Sequence, residues 1–132
     1  MSRTLAQERS SFALKEVGKI NQAGGDKFAK LTAGLPAMVL QNGFGQALAF
    51  LLAKGTKDGR PRPGDRHLLV FDIIAAWLKQ QRIIVDAAPS KAMGELSKMN
   101  QKDYLRAQDE ALAVLEWVKR YAGAGLFHHT GE

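Results

Sequence analysis

An uncharged stretch of 23 residues, from Leu31 to Ala53, restricts the possible folds of this chain more than any other feature. On length alone it could cross a bilayer, which needs roughly 20 apolar residues. Four polar side chains interrupt it, however, and Pro36 and three glycines weaken its helical preference. We therefore expect a buried core helix in this region, and no membrane span.

Composition narrows the class of protein further. With 132 residues, 45% of them hydrophobic and 24% charged, the chain is expected to form one globular domain around its own core. It has no cysteine, which excludes disulfides, thiolate metal sites, iron–sulfur clusters and a cysteine nucleophile. Its first residues show no secretory signal, so a cytoplasmic location is expected.

The spacing of apolar residues predicts an all-α fold, a compact bundle of about five to six helices in a single domain. The expected helices cover roughly residues 4–21, 26–34, 36–54, 66–82, 89–99 and 101–122. Thr4 with Gln7 matches a capping box, and Asp65 is a suitable N-cap for the fourth helix. Residues 55–64, which contain three glycines and two prolines, are expected to form a surface loop.

Residues that could carry catalysis are few, and none belongs to a convincing constellation. The glycines of residues 43–45 suggest a dinucleotide-binding loop, but Leu48 stands where the third glycine is needed and no strand precedes them. Asp72 lies within an apolar run and could be a lone buried acid, although an exposed or arginine-paired position is favoured. The sequence therefore predicts a protein that is not an enzyme and needs no cofactor.

The three histidines do not suggest a metal site. His67 is expected in the first turn of its helix. His128 and His129 point in different directions in any regular structure, and they fall in residues 126–132, which are assigned to a flexible C-terminal tail. Residues 1–125 are assigned to the helical bundle domain. No metal-binding residue is predicted.

Positive charge is concentrated in the first two thirds of the chain, although the net charge is only +6. Thirteen basic and six acidic residues precede residue 83, whereas the remainder has six basic and seven acidic residues. The densest cluster lies on and beside the expected loop, and the first two helices add further lysines. Its members are Lys54, Lys57, Arg60, Arg62 and Arg66, with Lys15, Lys19, Lys27 and Lys30 from those helices. Such a cluster attracts nucleic-acid phosphates without reading sequence, the alternative being a surface that only aids solubility.

Apolar residues are numerous relative to the size of the chain. A domain this small needs most of them for its own core. Met38, Phe44 and Leu52 are nevertheless candidates to face a partner, because no single helix face can direct all three inward.

Three blocks of sequence form a recognisable set with consistent spacing. The first contains Thr4, Arg9, Phe12 and Val17; the second covers residues 35–50 (LPAMVLQNGFGQALAF); the third contains Tyr104, Glu110, Trp117 and Ala122. Together they resemble the small all-helical subunit of the type III-B CRISPR RNA-silencing effector, the Cmr complex. The resemblance covers almost the whole chain, and its motifs are mainly packing residues that are specific as a set.

The resemblance implies a non-catalytic subunit in antiviral defence that stacks in a few copies beside the backbone subunits holding the guide RNA. It would help to line the channel where target RNA pairs with the guide. The implied partners are other Cmr subunits, copies of itself, and guide and target RNA, mainly through phosphates. The residues expected to contact RNA are Lys15, Lys19, Lys54, Lys57, Arg60 and Arg62, with Lys119 and Arg120 either joining them or anchoring a neighbouring subunit.

A stand-alone DNA-binding regulator is the main alternative, because basic helical domains often carry a helix-turn-helix. The helices expected after Gly34 and Gly64 are apolar nearly all round. That composition does not suit a polar helix that reads bases in the major groove.

Overall fold

Residues 2–128, the part of the chain that the computed structural model describes, contain six α-helices, one 3-10 helix and one two-stranded hairpin. The elements are α1 (Leu5–Val17), a 3-10 helix (Gln22–Gly24), α2 (Gly25–Asn42), α3 (Phe44–Lys54), β1 (Thr56–Lys57), β2 (Arg60–Pro61), α4 (Arg66–Gln80), α5 (Pro89–Lys98) and α6 (Gln101–Gly123). The predicted all-α bundle is confirmed. Over the same residues, every helix is too short or too polar to traverse a membrane.

Side-chain caps begin three of the six described helices, α1, α4 and α6, and the sequence predicts those at Thr4 and Asp65. The Thr4 hydroxyl accepts from the Gln7 amide at 3.1 Å, and the Gln7 side chain accepts from the Thr4 amide at 2.8 Å. Asp65 accepts from the first amides of α4, and Asn100 from the first turn of α6. These caps are local, so three or four residues of sequence suffice to specify them.

The break in the uncharged stretch lies at Gly43, and the predicted break between Gly34 and Pro36 is wrong. Helix α2 continues through both residues because its buried side chains, Leu35 among them, hold it against the core. Gly43 has a φ of 95°, a conformation that side chains other than glycine rarely adopt, so the chain turns there into α3. The Gly45 amide then donates to the Tyr104 hydroxyl at 2.8 Å, which fixes the junction against α6.

The core lies around α6, which packs against α1, α2 and α4. Its largest fully buried side chains are Trp77, Phe28, Phe44 and Phe71. Phe44, predicted to face a partner, is instead buried, with its ring 5.9 Å from that of Tyr104. Met38 and Leu52 are half-buried against the core. The turn at Gly43 accounts for the difference, because it lets α2 and α3 direct separate faces inward.

A partly buried ion pair joins α1 to α6. The Arg9 guanidinium donates two hydrogen bonds to the Glu110 carboxylate, at 3.0 and 2.6 Å, and the Trp77 indole donates a third at 3.0 Å. The bonds from Arg9 are the main cause that lowers the pKa of Glu110 below its usual range. Glu110 of α6 is thus hydrogen-bonded to both α1 and α4.

The segment after α6 packs against the start of the bundle. The His128 amide donates to the Ile20 carbonyl at 2.8 Å, and the His128 carbonyl accepts from the Gln22 amide at 2.9 Å. The Phe127 ring meets Phe28 edge-on at 6.3 Å. Residues 126–128 therefore pack against the bundle, because His128 forms backbone hydrogen bonds with the segment that follows α1. The rest of the expected tail, residues 129–132, lies outside the described residues.

Candidate nucleic-acid interface

The surface loop predicted at residues 55–64 contains a tight β-hairpin. Strands β1 and β2 pair antiparallel, with Lys57 opposite Arg60 and Asp58-Gly59 at the turn. Both turn residues have positive φ, 53° and 76°, the backbone of a two-residue turn whose twist matches the flanking strands. The Asp-Gly pair is a sequence signal for this turn, and it could have predicted the hairpin.

The hairpin presents two cations that have no internal partner. Lys57 and Arg60 are exposed and lie directly across the strand pair from each other. Neither forms an ion pair with any residue in the described range. Like charges in directly opposed positions destabilise a strand pair, and a bound anion removes that repulsion. The arrangement is therefore suited to a phosphate.

Arg62 anchors the base of the hairpin rather than extending freely. Its guanidinium donates to the Lys54 carbonyl at 2.6 Å and pairs with the Asp65 carboxylate at 3.0 Å. Its backbone amide donates to the Gly55 carbonyl at 2.8 Å. Arg62 thus joins the end of α3 to the start of α4. Lys54 remains exposed, with its ammonium 5.9 Å from the centre of the Phe50 ring.

Asp65 is the other half of this anchor. Burial opposes its ionisation, but hydrogen bonds from the His67 backbone and ring and from the Leu68 amide outweigh burial and lower the pKa of Asp65. The ring nitrogen of His67 lies 3.0 Å from the carboxylate, which confirms the predicted place of His67 in the first turn of α4. An ionised Asp65 therefore holds Arg62, and with it the hairpin.

The other four residues expected to contact RNA lie on different elements. Lys15 is exposed on α1, and Lys19 follows that helix and pairs with Glu16 at 2.9 Å. Lys119 and Arg120 lie in the last turns of α6, where Lys119 is 4.0 Å from a carboxylate oxygen of Glu116. Exposed pairs of this kind contribute little, so Lys19 and Lys119 can exchange partners readily. Only the four residues at the hairpin form one cluster.

Two further cations of the predicted charge cluster, which are not among the residues expected to contact RNA, lie near the base of the hairpin. Lys27 of α2 and Arg66 of α4 line one cleft of about 250 Å³ between the start of α2 and the base of the hairpin. Ile20, Phe28 and Leu69 supply its apolar lining. The two cations are 39 positions apart, so only tertiary packing brings them together. The distribution of charge along the sequence therefore does not predict this cleft.

The other residues considered as catalytic or ligand-binding candidates do not form a reactive site within the described residues. The amide of Gly45, within the glycine pair weighed as a phosphate loop, is bound to Tyr104. Asp72 is exposed on α4, as favoured from the sequence, although nearby atoms still raise the pKa of its carboxyl by burial. Among residues 2–128, no three side chains of the metal-binding types come together.

Comparison with known proteins places this architecture in a family. The family model described as CRISPR-associated protein (Cas_Cmr5) matches residues 5–125. The chain is also similar to the crystal structure of a CRISPR-associated Cmr5 family protein from Thermus thermophilus. The two sequences are 25% identical, the match covers 92% of this chain and 97% of that one, and the TM-score is 0.68.

Proposed function

Because the chain belongs to the Cmr5 family of CRISPR-associated proteins, we propose that it is a non-catalytic small subunit of a type III-B effector complex and contacts the phosphates of guide and target RNA. Family membership confirms the resemblance drawn from the three blocks of sequence. The complex would act in antiviral defence, in the cytoplasm, with this subunit stacked beside its own copies and the backbone subunits.

The unpaired cations of the hairpin carry the RNA part of this proposal. Lys57 and Arg60 are held opposite each other by the strand pairing, and Arg62 with Asp65 fixes the base of the hairpin to the bundle. A preformed cationic edge binds a polyanion with less loss of side-chain and loop freedom than a mobile loop would. The absence of aromatic residues among these positions favours contact with phosphates over stacking on bases.

The apolar residues left on the surface support the stacking part. Leu40 on α2 is 69% exposed, and Val85 in the α4–α5 connection is 82% exposed. Such side chains are suited to the apolar centre of a protein interface. Lys15, Lys19, Lys119 and Arg120 are proposed as further contacts to RNA or to a neighbouring subunit.

Burial on α3 and α4 weighs against the DNA-binding regulator. A recognition helix needs a polar face to read bases. In α3, however, Phe44, Ala47, Leu48 and Leu51 are buried, and α4 buries eight of its fifteen residues. The hairpin's cations instead suit the sequence-independent contact that a guide–target duplex of any sequence requires.

The salt dependence of RNA binding tests the proposed contact. The double variant Lys57→Ala/Arg60→Ala should bind unrelated RNA sequences more weakly and to a similar extent. Each lost phosphate contact on a single strand lowers the slope of log affinity against log salt by about 0.7, so the double variant should lower it by about 1.4. Fluorescence anisotropy between low and moderate salt, on the complex assembled with this chain, measures both quantities.

A matched pair of exposed lysines provides the control. Lys98→Ala/Lys102→Ala removes the same charge from the α5–α6 junction, which is not part of the hairpin cluster. Its salt slope should equal that of the wild type. If both double variants lower the slope equally, total charge rather than the hairpin governs binding. Stronger binding to duplex DNA than to RNA would favour the regulator.

A further inference from the structure

A second groove lies between the hairpin, α3, α4 and α5, and the exposed cations of the hairpin are not among its lining residues. It has a volume of about 420 Å³, and its apolar lining comes from Leu52, Pro61, Leu68 and Met93. Four different elements contribute these residues, so the fold builds the groove.

Asp72 also lines this groove, and its carboxylate has no partner. It forms no hydrogen bond or ion pair with any residue from 2 to 128. The surrounding atoms remove part of its hydration, which raises the pKa of its carboxyl. Asp72 is exposed at the groove, so its carboxylate is accessible to a cation brought by another molecule, which would favour its charged form.

The polar atoms beside Asp72 match a guanidinium. Thr56 and Ser90, which carry hydroxyls, also line the groove, and neither side chain is hydrogen-bonded within the described part of the chain. A guanidinium carries five N–H donors in a fixed plane, so one carboxylate and two hydroxyls can accept several of them. Its methylene stem can pack on apolar walls. Arginine is also more weakly hydrated than lysine and is enriched at protein interfaces.

We propose that this groove receives an arginine side chain from a different subunit of the effector complex, with the guanidinium bound to Asp72 and the stem against Leu52 and Met93. The inference rests on the proposed function, which supplies the partner. A different subunit is favoured over a second copy because Leu40 and Val85, the exposed apolar residues that we assign to stacking between copies, do not line this groove.

Neutralising Asp72 measures the contribution of the pair. Asp72→Asn keeps the size of the side chain, and it should weaken incorporation of the chain into a complex reconstituted from the remaining subunits by about ten-fold. Asp109→Asn, which changes an exposed carboxylate of α6 that is in no ion pair within the described residues, should incorporate like the wild type. Equal affinity of Asp72→Asn and the wild type would overturn the proposal. If the wild type itself failed to join, the proposed function and this inference would both fail.

Cross-linking identifies the occupant. The chain has no cysteine, so Ser90→Cys introduces a unique thiol at the groove. A reagent with a maleimide at one end and an arginine-selective phenylglyoxal at the other would be applied to the reconstituted complex, and the products mapped by mass spectrometry. We expect a link to an arginine of another subunit, with a lower yield when Asp72→Asn is also present. A link to a second copy, or no arginine link in an assembled complex, would overturn the proposal.

Discussion

Charged residues are used in opposite ways in two regions of this molecule. Where α1 crosses α6, Arg9 and Glu110 are mostly buried and bonded to each other, with Trp77 completing the set. At the hairpin, Lys57 and Arg60 are exposed and opposed without a carboxylate. The first arrangement consolidates the fold, whereas the second keeps charge available for a ligand. Stability and binding should therefore respond to mutations in different regions.

The largest loss of stability is expected from Glu110→Ala. It leaves the Arg9 guanidinium without its carboxylate and the Trp77 indole without an acceptor, so the free energy of unfolding should fall by about 3 kcal/mol. Urea denaturation monitored by circular dichroism measures the change. Glu116→Ala is the matched control on the same helix: its pair with Lys119 is 4.0 Å long and exposed, so it should cost less than about 0.5 kcal/mol. Equal losses would contradict the distinction between paired and unpaired charge.

A smaller loss of stability is expected at the base of the hairpin, where the exposed cations join the packed end of α3. Gly55→Ala places a methyl group on the Leu68 side chain, which must shift together with the end of α3. A change of this type in a packed position costs about 1–2 kcal/mol, and here it should also weaken RNA binding by displacing the hairpin. Gly94→Ala is the control, because nothing lies near the added methyl group and alanine favours a helix. Thermal unfolding should show the first variant destabilised and the second slightly stabilised.

Local signals made much of the fold predictable, whereas distant contacts did not. The caps at Thr4 and Asp65 depend on residues within one helical turn, and the sequence predicts both. The position of the helix break does not follow from local sequence. Gly34 and Pro36 predict a break more strongly than Gly43 does, but the packing of α2 against the core keeps the helix continuous through both residues. The cations of the hairpin lie close together in the sequence, so their clustering could be predicted.

The Arg9–Glu110 pair spans 101 positions, and the lining of the Asp72 groove comes from five elements. Both residues of the pair occur in the blocks that carry the family resemblance, but nothing in their spacing indicates that they touch. Charge density is a local property of sequence, whereas pairing of charge depends on the fold. The sequence could thus suggest the edge that we propose contacts RNA, but not which of its cations lack a partner within the described residues.

Acid should weaken the buried pair through Glu110. Because the folded-state pKa of Glu110 is lowered, its contribution to stability is complete above the unfolded value of about 4.3 and is lost as the pH falls through the folded pKa. Asp65 acts in the same direction. The free energy of unfolding should therefore fall below about pH 4, and Glu110→Gln should make that fall shallower. A profile with the same slope in both proteins would show that Glu110 does not couple folding to protons.

The smallest effect on stability should come from the hairpin cations that we propose bind RNA. Lys57→Ala/Arg60→Ala removes two exposed cations that stabilise nothing inside the molecule, so the free energy of unfolding should change by less than about 0.5 kcal/mol. Any change should be a slight gain, because the variant also removes repulsion across the strand pair. Urea denaturation at low and moderate salt checks the sign of this change in the free energy of unfolding. Salt screens the repulsion between Lys57 and Arg60 in the wild type, whereas the variant lacks that repulsion. A large loss of stability would mean that these cations hold the fold together, and the contrast with Arg9 and Glu110 would disappear.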